Sequence, residues 1–588
     1  MHRIILTRRS FLRVVAATGA TLLAACSGPE EKPDAALGPN AASQPQVGAS
    51  TQVAKPGQTP SGTKGSGVAS PTSGGASDGT MTVRIDGVPE PLLTHASWMR
   101  DRFVEHLGAV AAAASDSRAD LTIRMAEPGA VDAGLPRLVT DYVAVVSRRL
   151  VVRGITSEQL RGLWSGEITD WSALGSPVSQ RVVRVKVAES AGPFAVAQAD
   201  QAVPNRDNLA TFMEDEPGVL AIIPAAWVDF RFRTLRLDDI SWFRTGDATW
   251  PLQVTMVADV DDSRETGLAA RAAEAIATVP LHPAVSMTWA GDIIMGRHVH
   301  VRMVELGDWA APFRAIADEL TWADVTISNL ECSLSDSFET PTDWSTFEFK
   351  TDTRAVAGLQ LAEIDVLNRA NNHSFNFGVV GMDDTTDVLD KAGILHFGMG
   401  HTIEESRKAA LAKVGGVTYA FLGYNGISDQ WDGAEANSPG TNPLIDWLVV
   451  EDIKRELAAG HVVIPFFHWG TEYVYDPTEE QRAFAQLAID NGAAMVMGSH
   501  PHWVQAVETY KDKSIVYSLG NFVFDQEWSL ETKQGMIADV WMRGDAVLAL
   551  DLVPVLIEDY HRPRRMSDDE AWPVLQHVWD ASDLIRHG

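Results

Sequence analysis

Two cysteines in 588 residues, Cys26 and Cys332, exclude a disulfide-stapled scaffold and a thiolate-built metal site. Cys332, alone and without Cys-rich neighbours, reads as a small buried apolar residue. Basic residues are also scarce: 48 Lys and Arg against 78 Asp and Glu leave a formal net charge of −30. That balance removes the cationic surface a nucleic-acid partner selects. The apolar stretch Val14–Ala25 is shorter than the ~20 residues that cross a bilayer. No repeat of solenoid period is present. Residues 27–80 almost lack large apolar side chains, so they cannot offset chain entropy and read as a disordered linker.

What is present is enough apolar residue, 45%, for several globular cores, and the length exceeds one core. Residues 1–26 read as an address. Arg8-Arg9-Ser10-Phe11-Leu12-Arg13 resembles a twin-arginine export signal, and Leu23-Ala24-Ala25-Cys26 resembles a lipoprotein box with Cys26 as the lipidation site. The expectation is an exported, extracytoplasmic chain held to the cell membrane by lipid on Cys26, with residues 27–80 as its tether.

Residues 81–283 form the first expected folded unit. Tyr142–Ser147 is a β-type run, Thr156 or Ser157 suits a helix N-cap, and Gly166 suits its stop. Together with Glu167-Ile168-Thr169-Asp170-Trp171 and the strand-like Pro217–Pro224, this order resembles the phosphate type of periplasmic solute-binding protein. The resemblance implies a partial α/β domain of that kind. The stretch matching the family's anion loop, Glu189-Ser190-Ala191-Gly192-Pro193, lacks its Thr, adds an acid and removes one N–H at Pro193. This favours a scaffold or partner-docking role over anion binding.

Residues 284–545 form the second expected unit, with 546–588 as a C-terminal extension. Apolar runs alternate with amphipathic stretches at Gly381–Ala392, Ile403–Ala412, Val449–Ala458 and Thr478–Asn491, a pattern that predicts an α/β fold. Five runs end on chemistry. Val285–Ala290 leads to Asp292, Val325–Ser328 to Asn329 and Glu331, and Ile364–Leu367 to Asn371-Asn372-His373. Val462–Phe467 leads to His468 and Glu472, and Ala494–Met497 to His500-Pro501-His502. Loops at the carboxyl ends of strands converge on one crevice, so these side chains are expected to meet. Oxygen and nitrogen donors without thiolate suit Mn, Fe, Zn or Mg.

These strings, with Tyr517-Ser518-Leu519-Gly520-Asn521-Phe522-Val523-Phe524-Asp525, resemble the poly-γ-glutamate capsule-synthesis (CapA-like) family, itself similar to calcineurin-like metallophosphoesterases. The resemblance implies an α/β/β/α sandwich and two divalent ions held by Asp292, Glu331, Asn372, His468, His500 and His502. It implies His373 as leaving-group acid and Glu472 as a catalytic or cleft residue, with Asn329 as a substrate contact and Asn521 as a substrate contact or a support behind the ligands. Two departures stand out. Ile293-Ile294 replace the usual x-His after the first Asp, with His298 and His300 the nearest substitutes, and Asn376 stands where an Asp is common. The function implied is a metal-dependent hydrolase acting on phosphoester or amide bonds of an anionic extracellular polymer. The alternative is a non-catalytic factor that grips such a polymer beside a membrane synthase.

Overall fold

The computed structural model describes residues 82–587 apart from 87, 89–99, most of 101–109, and 112–118, 126–136, 189–198, 245–249, 262–267 and 277–283. The export signal, Cys26, the linker 27–80 and Glu189–Pro193 therefore lie outside the described residues.

The metal-type residues lie on two facing sheets, and the strands that carry them are β1 (Val285–Ile293), β2 (Val325–Leu330), β3 (Val366–Asn368), β4 (Val417–Asn425), β5 (Val462–His468), β6 (Val496–Ser499) and β7 (Asn521–Val523). In the first sheet β3, β2 and β1 run parallel in that order, β7 joins β1, and the long antiparallel strands 534–543 and 546–558 follow. In the second, β4, β5 and β6 run parallel. Alternation along each strand builds four layers. Tyr419 and Phe421 of β4 and Ile464 and Phe466 of β5 point between the sheets, where Trp289 of β1 meets both Phe421 and Phe466 edge-on. Their neighbours Ala420, Leu422, Val463 and Phe467 point outward to helices α3 (Asp446–Ala458) and α4 (Glu479–Asp490). The first sheet's outer face packs under α1 (Arg297–Leu306) and α2 (Gly378–Ala392). Strands covered on both faces read as continuous apolar runs, which is why the five runs stood out.

Residues 82–260 contribute a separate nine-stranded sheet. Its helix Ser157–Ser165 opens on a capping box, Thr156 with Gln159, and stops at Gly166 in left-handed backbone, φ 83°. The sheet is fastened to the sandwich by Arg153 and Arg233 on Asp551 and by Phe243 stacked on Trp541. Residues beyond 545 are integral to that junction: strand 546–558 completes the first sheet, and helix α5 (Asp568–His587) buries Val574, Leu575, Val578 and Trp579 in the inter-sheet core.

One amphipathic stretch resolves differently from its pattern. Ile403–Ala412 is helical only over Ile403–Ser406, and Ala410–Val414 is a strand paired antiparallel with β4. The turn decides this. Gly415 and Gly416 both hold positive φ (57° and 82°), which closes a tight hairpin and commits the preceding residues to the sheet.

The glycine before Asp292 has a strict packing reason. The pairing of β1 with β2 shifts register between Trp289 and Asp292, a bulge that re-aims the carboxylate. A Cβ on Gly291 would sit 2.1 Å from the Gly520 carbonyl oxygen. Gly291→Ala is expected to destabilise the chain by about 1–3 kcal/mol, read from the denaturant midpoint, and to lower metal content.

Candidate metal centre

The carboxyl edges of β1, β2, β3, β5 and β6 meet at one point. Ligand atoms of Asp292, Glu331 and His468 lie within 4.8 Å of one another, and so do those of Glu331, His500 and His502. Glu331 belongs to both groups, and all five side chains are buried. Backbone geometry places the last two. His500 and His502 both adopt positive φ, 96° and 58°, on either side of Pro501, so two nearby imidazoles turn toward one centre.

Amides position the donors. Asn329 Nδ2 donates to Asp292 Oδ1 at 2.9 Å and to Glu331 Oε2 at 3.3 Å, while its own oxygen accepts from Asn368 and Asn371 at 3.0 Å each. His502 Nδ1 lies 2.8 Å from Asn521 Oδ1 and 3.6 Å from Asp292 Oδ2. His468 lies between Ser499 Oγ, 2.9 Å from Nδ1, and Asn372 Oδ1, 2.7 Å from Nε2. Such partners set ring orientation, and His468 Nε2 also lies 3.4 Å from Glu331 Oε1. Asn329, expected to contact substrate, and Asn521, expected to contact substrate or to support the ligands, are fully buried with their amides committed to ligands and to neighbours such as Thr532 O. They hold the donors from behind.

His373 sits at the half-buried mouth. Its Nε2 is 3.0 Å from Asn372 Nδ2, its Nδ1 is 3.1 Å from Asn376 Oδ1, and its ring packs on Phe349 at 4.4 Å. Glu472 is exposed, and its charge acts on His468, His502 and Glu331. His298 and His300 do not replace the missing x-His: His298 stacks on Trp344, and His300 meets Thr351 Oγ1. Cys332 is a core residue whose thiol burial pushes up to about 12.

Sequence reasoning named no role for Arg297 and Asp525, which form a fully buried ion pair beside the cluster. Asp525 also accepts from the His298 backbone N–H, and Arg297 lies over Phe349 and Phe524. Their proximity in the family strings was the only available signal. Asn368 and Asn371 likewise carry the hydrogen-bond frame; Asn371 was legible as a turn residue or oxygen donor at a strand end, and Asn368 had no role from sequence.

The electrostatics describe a site built for positive charge. Burial, with repulsion from Asp292, pushes the Glu331 carboxyl well above its usual range, and its Oε1 has no hydrogen-bond partner. Burial would raise Asp292 too, but His502, His468 and Asn329 hold it below the ordinary value. Burial drops His373 and His468 to about 3 and His500 well below its usual range. Neutral imidazoles are the form that binds metal, and His500 Nδ1 has no hydrogen-bond partner. His502 is the exception: burial opposes its charge, but Asp292 and Glu331 lift it to about 9. A protonated His502 supplies the positive charge that a cation would otherwise bring. Unpartnered buried donors on Glu331 and His500, with a thiolate-free Asp, Glu and His set, fit a divalent metal.

A pH signature follows. His502 titrates near 9 in the folded chain and near 6.5 unfolded, so its stabilisation is complete below about 6.5 and lost as pH rises through about 9. Glu331, raised by burial, acts in the same direction. Melting temperature in chelator is expected to fall from about pH 6.5 to about 9, while metal affinity rises over the same window as the His502 proton is displaced.

A four-layer α/β/β/α protein with a buried cluster of candidate metal ligands at its strand ends is the class this geometry defines. The chain belongs to the family described as bacterial capsule synthesis protein PGA_cap, whose model matches residues 286–526. It is 30% identical over 276 residues to the PGA biosynthesis protein CapA of Bacillus subtilis (strain 168), covering 47% of this chain and 72% of that one. Among solved structures it is similar to the calcineurin-like phosphoesterase YfkN from Bacillus subtilis, at 13% identity and TM-score 0.28, covering 52% of this chain and 99% of that one. It is also similar to an ABC-type phosphate transport receptor from Vibrio cholerae, at 14% identity and TM-score 0.27, covering 34% and 94%.

Proposed function

We propose that this capsule and poly-γ-glutamate synthesis family protein is an extracytoplasmic, lipid-anchored hydrolase that uses two divalent ions. Its substrate is a phosphoester or amide bond in an anionic extracellular polymer. The observation that carries the reading is Glu331, shared by both ligand groups and without a hydrogen bond on Oε1, the arrangement of a bridging carboxylate. Divalent ions there would supply Lewis acidity at the attacked phosphorus or carbonyl centre. Asp292 and His468 would hold one ion with Glu331, and His500 and His502 the other, with Asn372 beside His468. His373, at the open side of the cluster, is placed to give a proton to the leaving group. The twin-arginine motif and the Leu23–Cys26 box support the location.

One observation favours the second reading, a non-catalytic polymer-gripping factor beside a membrane synthase. Asn376 orients His373 by accepting at Nδ1 but brings no charge to sustain an imidazolium, and burial holds that ring near 3. Asn376→Asp is therefore expected to raise the His373 pKa and increase turnover by about tenfold, seen as an acid limb shifted upward in the pH–rate profile.

The deciding experiment is metal analysis of the full chain, with turnover measured on bis-p-nitrophenyl phosphate and on poly-γ-glutamate. Two ions per chain with turnover establishes the hydrolase. Bound metal without turnover on either substrate, in Asn376→Asp as well, assigns the gripping role. Absence of metal overturns both.

A further inference from the structure

Away from the metal cluster, a cavity of about 400 Å³ opens where the nine-stranded sheet meets helix α5 and the strand Val507–Tyr510. That volume is within the range of small-ligand sites. Most of the charged groups in its wall are already paired. Arg149 bonds Asp583, Arg586 bonds Glu214 and Asp215, and Arg231 bonds Asp229 and Asp207. Glu508 accepts from Tyr517 Oη at 2.5 Å and from Gln486.

Arg148 differs. Its guanidinium lies over Trp579 at 5.2 Å and Phe230 at 5.8 Å, which fixes the plane of the fork, and its buried Nη1 has no hydrogen-bond partner. Thr509 Oγ1, in the same wall, is also buried without a partner. Burial without a bonded carboxylate pulls Arg148 down to about 10, Glu214 opposing from a distance. Two unsatisfied polar atoms, one cationic, buried in side chains that line one cavity carry a desolvation cost that an acceptor reaching them would remove. A planar fork suits a carboxylate or a phosphate group through paired N–H bonds.

We propose that this cavity binds a small ligand through an oxyanion gripped by Arg148, with Thr509 donating its hydroxyl. The bound anion ties the nine-stranded sheet, which carries Arg148, to the sandwich and helix α5, which carry Thr509 and Trp579. The site is independent of the metal cluster and of the function proposed for it.

The test is calorimetric titration of the full chain in chelator, so that the metal centre takes no anion, with inorganic phosphate in one arm and L-glutamate in the other. One saturable site per chain is expected in the arm that matches the ligand. Arg148→Lys, which keeps charge and loses the fork, is expected to weaken binding by roughly tenfold or more. Arg148→Met is expected to abolish it, and Thr509→Val to weaken it. No saturable heat with either anion at about 10 mM overturns the proposal, as does binding unchanged in Arg148→Lys and Thr509→Val. Those two variants keep the test decisive if Arg148→Met fails to fold.

Discussion

Glu331→Gln will strip the chain of metal while leaving the metal-free fold as stable as before, or more stable. The side chain is fully buried, Oε1 has no hydrogen bond, and Asp292 repels the charge. Asn329 Nδ2 reaches Oε2 and His468 Nε2 lies 3.4 Å from Oε1, but burial and Asp292 still oppose the charge, so a glutamine of the same shape relieves it. Metal binding has the opposite requirement. Glu331 is common to both ligand groups, so its neutralisation weakens both at once. Outer partners of metal ligands cost roughly 10–100-fold in affinity, and a shared ligand is expected to exceed about a hundredfold. Metal content by elemental analysis and melting in chelator separate the two effects. Unchanged metal content would refute the bridging assignment. Lost metal with a lower melting temperature in chelator would mean that Glu331 is a structural support.

His373→Ala will lower turnover by about 10²–10⁴ with metal content unchanged, the range for loss of a positioned proton donor. Its nitrogens face Asn372 and Asn376, and it is absent from both ligand groups. The ring's packing on Phe349 makes some loss of stability expected, so the metal content is the control that matters. If metal is lost with turnover, His373 is a ligand and the proton donor must be sought elsewhere at the mouth, with Glu472 the nearest acid in the sequence string. The two substitutions therefore divide the cluster: one acts through the cation, the other through a proton.

Much of this site was legible because it is written at the ends of strands. A strand buried on both faces must be a continuous apolar run, and the first polar residue after it must lie at the sheet's edge. Val285–Ala290, Val462–Phe467 and Ala494–Met497 announce their strands that way, and Asp292, His468 and His500 follow within two or three residues. Where the pattern was ambiguous, a turn decided. Ile403–Ala412 carries helical periodicity, but the hairpin at Gly415-Gly416 draws its second half into a sheet. Residues 546–588 read as a tail because their apolar positions belong to a core shared with strands spread from Val285 to Met542. Asn329 and Asn521 show the limit most clearly. The family resemblance offered them as substrate contacts, with a place behind the ligands as the alternative for Asn521, and three-dimensional packing places protein on every side of them.

By itself the sequence determined the inventory: an acidic chain, an α/β alternation, and a thiolate-free set of Asp, Glu, Asn and His at five strand ends. Those properties depend on residue type and short-range spacing, which the chain displays directly. Tertiary structure decided which donors converge, that Glu331 belongs to two groups, that His298 and His300 belong to none, and that Arg148 lines a separate cavity with its Nη1 unpartnered. Each of these is a distance of a few ångströms between residues tens to hundreds of positions apart. Such distances are set by sheet register, by a bulge at Gly291 and by positive φ at His500 and His502, and none of them has a local signature in the chain.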